Sequence, residues 1–339
     1  MKSSQISIEP KKPCESVAQL PAASIQELPL NTPYTVFGPW TKRLLTLLIG
    51  VAGLFSPLSA NIYFPSLLSI SESLNVSIQL INLTITSYIV IQAVAPTLFG
   101  DLADIYGRRP IYLLTFSIYV LANLGLALQS SYAALLVLRM VQSLGCSATI
   151  AIGYGVVFDV AVPSERGRML GLSMIAANLG TCLGPLFGGL LARNAGWRWT
   201  FWLLMILGGS FLALLFLAFP ETGRNVVGNG SVPAPWWNRP LYSGLLARTE
   251  NHRENVDMPF TFEKMKASFP NPLRSLRIVF HRDVGLVLWL SAVYYTVYYI
   301  IQSSLPTILE EIYGFDEQQA GLSYLSIGGG VVLGGYING

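Results

Sequence analysis

The chain has 339 residues, of which 52% are hydrophobic and 12% charged, with 21 Lys+Arg against 18 Asp+Glu and a net charge of +3. Soluble domains carry about 25% charged residues, so this chain has too little polar surface to coat a water-soluble globule, and its mean hydropathy of +0.52 agrees. These figures exclude a typical cytosolic enzyme, a secreted disulfide scaffold, a disordered chain and a DNA-binding module.

Residues 1–43 are polar and contain Pro13, Pro21, Pro29 and Pro33. They read as a disordered cytoplasmic tail without a cleavable signal peptide. A membrane-spanning helix needs about 20 mostly apolar residues. Six such runs follow, at 44–67, 79–99, 111–129, 132–157, 168–192 and 199–219, and predict a six-helix bundle over 44–219. The stretch 220–283 is polar, basic and rich in proline, and reads as a cytoplasmic linker. Its end, Leu273–Phe280, fits a basic amphipathic helix or plain linker equally well. Two more runs, 284–304 and 318–337, would open a second bundle over 284–339. The predicted fold class is therefore an all-α integral membrane protein.

Charge placement supports this map. With the N-terminus cytoplasmic, only Arg193 and Arg198 fall in outer loops and only Arg139 falls inside a span; the other Lys and Arg residues lie on the inner side. That is the asymmetry of the positive-inside rule. The outer loop 305–317 carries Glu310, Glu311, Asp316 and Glu317 and no basic residue. Cys14, Cys146 and Cys182 read as free thiols, and two histidines, His252 and His281, give little basis for a metal site. No metal and no cofactor is expected.

A weak repeat accompanies the topology. Pro65-Ser-Leu-Leu and Pro306-Thr-Ile-Leu each close a span, 241 residues apart. Parallel six-helix repeats are one way to build a transporter.

Several motifs carry chemistry. Gly100-Asp-Leu-Ala-Asp104-Ile-Tyr-Gly107-Arg108-Arg109-Pro110 reads as a loop between spans two and three. Asp104 and Arg108 stand four apart, within pairing distance if that turn is helical. Arg139 is a costly cation inside a span unless it faces the bundle interior, and Gln142 lies on the same face. In the fifth span Gly180, Gly184 and Gly188 form a small-residue ridge, followed by Gly189, and Pro185 interrupts the backbone bonding. Polar groups within apolar runs are cavity candidates or interhelical packing: Asn61, Tyr63, Tyr88, Gln92, Gln142, Asn178, Tyr295, Tyr298 and Gln302.

The Gly100–Pro110 motif resembles the signature between helices 2 and 3 of the major facilitator superfamily. Leu138-Arg139-Met-Val-Gln142-Ser-Leu-Gly145 resembles its helix-4 signature, and the pattern ending Gly184-Pro185-x-x-Gly188-Gly189 looks like the helix-5 signature of drug:proton antiporters. Gly196–Trp202, Pro220-Glu221-Thr222 and Val227–Pro240 are similar to fungal exporters of the quinidine-resistance type. The resemblance covers about residues 40 to 339.

It implies a major facilitator fold of twelve spans, with one complete six-helix half and two helices of the second, so that by the 241-residue offset an intact chain would have roughly 460–520 residues and this sequence is expected to be truncated after its eighth span. It implies export of small organic molecules by proton antiport and alternating access, in a monomer resident in the plasma membrane. The partners would be the substrate, protons and the lipid bilayer, with no nucleic acid. Asp104, Arg108 and Asp159 would form a cytoplasmic charge relay, and Arg139 would take part in proton coupling. Gly100 and Gly107 belong to the gating motif, and Gly180, Gly184, Pro185, Gly188 and Gly189 would shape a pivot between the halves. The sequence departs from this pattern in one respect: no Asp or Glu lies deep inside the first six spans. The alternative is a truncated, non-transporting membrane protein or regulator of the same family. A membrane enzyme would need clustered His, Asp or Glu, and the sequence has no such cluster.

Overall fold

The computed structural model describes residues 34–240 and 281–338. Helix α1 (Pro39–Asn61) opens with proline at its first position, where the missing N–H is not needed. A 3-10 turn at Phe64–Ser66 accommodates Pro65 and leads directly into α2 (Leu67–Leu74). Asn75 ends α2 in the left-handed region, at φ 51°. The apolar stretch is therefore 36 residues, Pro39–Leu74, longer than the predicted 44–67.

Helices α3 (Ile78–Tyr106), α4 (Arg108–Leu128), α5 (Tyr132–Val160), α6 (Pro163–Ala195) and α7 (Arg198–Ala218) follow on short connections. After them come a single turn, α8 (Arg224–Val227), and a 3-10 turn at Trp236–Asn238. Past residues 241–280 lie α9 (Arg282–Glu311) and α10 (Glu317–Asn338). Among the described residues, seven helical stretches are long and apolar enough to cross a membrane. The tail to residue 33, the segment 241–280 and the amphipathic reading of Leu273–Phe280 lie outside the described residues, as does Cys14.

The helices overrun the apolar windows at their ends. The 29 residues of α3 extend about 43 Å at 1.5 Å per residue, well beyond a hydrocarbon core of about 30 Å. The excess carries the interfacial charges, which an apolar window rejects although the backbone bonding continues. This corrects the reading of Gly100–Pro110 as a loop. Residues 100–106 are helical, and a single residue, Gly107, separates α3 from α4. Its φ of 105° is open to glycine at little cost.

In the bundle α1 packs on α6 and α5, α3 on α5, and α4 between α5 and α7. The core between α1, α4 and α7 is aromatic. Phe55 meets Phe116 edge-on at 5.3 Å, and Phe116 meets Phe211 at 5.0 Å. Helices α4 and α5 touch at Gly145, where an added Cβ would lie 2.6 Å from the Tyr119 nitrogen and 2.8 Å from the Thr115 carbonyl oxygen. Backbone cannot yield as a side chain can. Gly145→Ala should therefore cost about 1–3 kcal/mol by forcing these helices apart, read as a lower unfolding midpoint of the purified protein.

The two ends of the bundle differ in charge. One end gathers Lys42, Arg108, Asp159, Glu165 and Arg168 and is called here the basic end. The other carries Glu310, Glu311, Asp316 and Glu317. There Arg193 pairs with Asp316 at 2.6 Å, and the Ser69 hydroxyl donates to Glu317 at 2.5 Å, tying α6 and α2 to the start of α10.

Candidate functional site

At the basic end Arg108 is held by two carboxylates. Its Nε donates to Asp159 Oδ2 at 2.9 Å, and its Nη2 lies 2.5 Å from Asp104 Oδ1. The Asp104–Arg108 pair spans the Gly107 break, so the four-residue spacing survives the interruption. The Arg108 guanidinium fits over Gly155, where an added Cβ would lie 2.5 Å from Cζ. Helix α8 is stitched to the same cluster: Arg224 donates from Nε and Nη2 to the Asp159 carbonyl, and Asn225 donates to the Asp104 carbonyl at 2.7 Å.

The two ion pairs differ in burial. The Asp159 side chain is 12% exposed and that of Asp104 57%. An exposed pair contributes ~0.2–1 kcal/mol, whereas losing a shielded, charge-assisted partner costs about 2–3 kcal/mol. Asp159→Asn should therefore lower unfolding stability by at least twice as much as Asp104→Asn; equal losses would contradict this ranking.

Glu221 was not singled out as a site residue. The Pro220-Glu221-Thr222 motif was the available signal. The residue is 4% exposed and lies against the α3–α4 break. Its carboxylate accepts from the backbone N–H groups of Arg108 (2.8 Å), Arg109 (3.2 Å), Thr222 (2.9 Å) and Gly223 (2.7 Å). Asn238 Nδ2 donates to it at 2.7 Å. It thus serves as the N-terminal cap of α4 from more than a hundred residues away, where the helix dipole favours a negative charge. A Cβ on Gly107 would lie 2.5 Å from Glu221 Oε2, a second reason for glycine there. Gly100, by contrast, has open space around it. The first part of the predicted linker is accordingly folded: Glu221, Thr222 and Asn238 are all buried.

The second cluster surrounds Arg139, which is 1% exposed. Its guanidinium carbon sits 4.3 Å from the ring centre of Tyr63 and 4.4 Å from that of Tyr88. Nη1 donates to Gln142 Oε1 at 2.6 Å and to the Ser59 carbonyl at 3.2 Å, while Nε has no hydrogen-bond partner. Gln142 in turn donates to Asn123 at 2.7 Å, and Ser59 and Tyr119 share a hydroxyl contact of 2.7 Å. Tyr63 bonds Thr84, and Tyr88 bonds Cys146. Gln92 donates to Ser56 at 3.2 Å, and Asn61 donates to the Pro57 carbonyl at 2.6 Å. Among the described residues no carboxylate pairs with Arg139. Among those residues the cation is stabilised by two π faces and by carbonyl dipoles.

The structure thus brings Tyr63, Tyr88 and Gln142 directly onto Arg139. Sequence reasoning missed Ser59, Tyr119 and Asn123, which look like packing residues in isolation. Asn178 is exposed on α6 and apart from this cluster. On α9, Tyr295 meets Tyr299, and Gln302 donates to the Tyr298 hydroxyl at 2.8 Å. Tyr324 on α10 donates to the Gln302 carbonyl and stacks on Phe64, its ring 6.4 Å away. The glycine ridge serves two neighbours. Gly180, Gly184 and Gly188 face the α1 backbone at Leu54–Ile62, and Gly189 faces Glu317 and Gly321 of α10, which also lies against the Pro185 carbonyl. Cys146 and Cys182 are free thiols.

Seven helical stretches long and apolar enough to cross a membrane, with a buried cation that has no carboxylate partner among the described residues and a charge cluster at one rim, fit a polytopic membrane protein. The chain belongs to the Major Facilitator Superfamily, whose family model matches residues 49–339. Members of this family are transporters, not enzymes. Among fungal relatives, the MFS-type transporter tstD of Talaromyces stipitatus is 41% identical over 307 residues, covering 89% of this chain and 55% of its own length. The MFS-type transporter phiD of Fungal sp. is 40% identical over 301 residues, covering 88% and 46%. Citrate exporter 1 of Aspergillus niger is 35% identical over 310 residues, covering 91% and 58%. The chain therefore spans about half the length of these curated relatives. The D-xylose-proton symporter shares the fold, with a TM-score of 0.57 at 16% identity, over 84% of this chain and 65% of that one. The human organic anion transporter MFSD10 does so with a TM-score of 0.53 at 20% identity, over 86% and 70%.

Proposed function

We propose that this chain acts as a secondary active exporter of small organic molecules. It works by alternating access and proton antiport, as a monomer in the plasma membrane with its N-terminus cytoplasmic. The observation that carries this reading is Arg139, a buried cation without a carboxylate partner among the described residues, ringed by polar groups. A static scaffold has no use for a charge that costs several kcal/mol to bury, whereas a coupling site does. The Asp104–Arg108–Asp159 cluster supports the reading as a rim contact that can break and re-form when the halves rock. The fungal relatives, one of them named a citrate exporter, support a small organic substrate and leave drugs and organic acids both within range.

The test is flux through the purified protein in liposomes, across a panel of organic acids and hydrophobic drugs, with and without a pH gradient. Gradient-driven accumulation of at least one compound is expected. Absence of flux for the whole panel would overturn the reading.

A further inference from the structure

A groove runs between the first turns of α1 and α6 at the basic end, outside both clusters described above. It encloses about 560 Å³. Its floor is apolar, made by Leu47, Val51, Met169 and Leu172, and Gly50 and Ala176 close the deep end. Its rim is cationic. Lys42 is neutralised by Glu165 at 2.7 Å, but Arg43 and Arg168 have no acidic partner among the described residues. The Arg43 guanidinium carbon lies over Trp40, 5.4 Å from the ring centre, and Arg168 is exposed. Both helices begin at this mouth, at Pro39 and Pro163, and neither has a side-chain cap on its first turn. The N-terminal end of α1 adds positive potential to the two arginines, while at α6 the first-turn Glu165 offsets the same effect. The approach to α1 is pinned, because the Val36 N–H donates to the Asn229 carbonyl at 3.0 Å.

We infer that this groove binds an amphipathic organic anion, with a carboxylate held between Arg43 and Arg168 and an apolar skeleton laid along Leu47, Val51 and Leu172. Charge selects the class: two guanidinium groups without an acidic partner among the described residues, over an apolar trough, repel a cationic amphipath and leave a neutral one unanchored. Size favours a small molecule, since drug-sized ligands occupy pockets of about 300–1,000 Å³, while a phospholipid must place two acyl chains. The inference rests on the transport reading for its purpose, as an entry site that collects anionic substrate beside the bundle. Binding can be measured without transport, so the two stand or fall separately.

The experiment uses the full chain in nanodiscs of zwitterionic lipid, with fluorescence anisotropy of fluorescein as the anionic probe and rhodamine 6G as a cation of similar skeleton. Fluorescein should bind, and weaken at least tenfold in the Arg43→Gln/Arg168→Gln variant and on raising salt. The Arg43→Lys/Arg168→Lys variant, which keeps the charge, should stay within threefold of the parent. Rhodamine 6G should bind more weakly and not respond to either pair. Fluorescein binding that is absent, or unchanged in the glutamine variant, overturns the inference. So does co-purified anionic phospholipid that is lost in that variant while fluorescein fails to bind, which assigns the groove to lipid. Flux failing while fluorescein binds as described would overturn the transport reading alone.

Discussion

Arg139→Met is expected to abolish transport while leaving a folded protein. Methionine follows the path of the arginine stem and fills the slot between Tyr63 and Tyr88 with a flexible apolar chain. Two terms oppose each other. Removing a cation that has no carboxylate partner among the described residues relieves a desolvation cost of several kcal/mol. Losing it leaves Gln142 Oε1 without its 2.6 Å donor, at about 1–3 kcal/mol, together with two cation–π contacts of up to about 2 kcal/mol each. The balance is near zero, so the unfolding midpoint should move by a few degrees at most, whereas flux should fall by at least two orders of magnitude. Retained flux would rule out the proposed coupling role of Arg139. A collapsed midpoint would make the residue structural. Asn123, which receives the Gln142 amide, gives an intermediate case: Asn123→Ala frees Gln142 to rotate and should reduce flux without eliminating it.

Glu221→Ala is expected to be the most destabilising single change at the basic end. One carboxylate satisfies four backbone N–H groups and the Asn238 amide in a site from which water is excluded. Alanine removes the acceptor of all five donors. A loss of about 3–5 kcal/mol follows from the unmade bonds and the lost helix cap. Glu221→Gln should lie between, because one amide oxygen still accepts while its NH2 faces the donors of Arg109 or Gly223. The readout is the unfolding midpoint, with Asp104→Asn as the comparison at the same rim. Equal, small effects for Glu221→Ala and Asp104→Asn would show that the carboxylate is not the anchor of this turn.

The spans were legible because their apolar composition is local and continuous. Their ends were not. Asp101 and Asp104 look like loop residues to a hydropathy window, yet the helix runs through them to Tyr106 and stops only at Gly107. Arg139 was legible as a lone cation in an apolar run, and Gln142 by its three-residue spacing. The partners from other helices were not: Ser59 lies 80 residues from Arg139, and Tyr119 and Asn123 look like ordinary packing until α4 is brought onto α5. Glu221 was hidden most completely. Its donors lie 112 and 113 residues away, and a glutamate after a proline at the end of a span reads as the start of a linker. The tyrosines of α9 were legible as a face, though Tyr295 stays exposed and the aromatic contact with the bundle comes through Tyr299 and Phe64.

The burial of Arg139 also has an electrical consequence. The residue lies about 10 Å inside one end of α5, so a fixed positive charge sits within the voltage drop of the membrane. A full elementary charge crossing that drop exchanges about 2.3 kcal/mol per 100 mV. Any rearrangement that changes which side of the membrane hydrates Arg139 therefore moves a fraction of that charge through the field, even if the backbone shifts little. The rate of the cycle should then vary with an imposed potassium diffusion potential at constant pH gradient. If the proposed proton antiport holds, two driving forces meet at one residue, the chemical one of the proton gradient and the electrical one felt by a single guanidinium between two tyrosines.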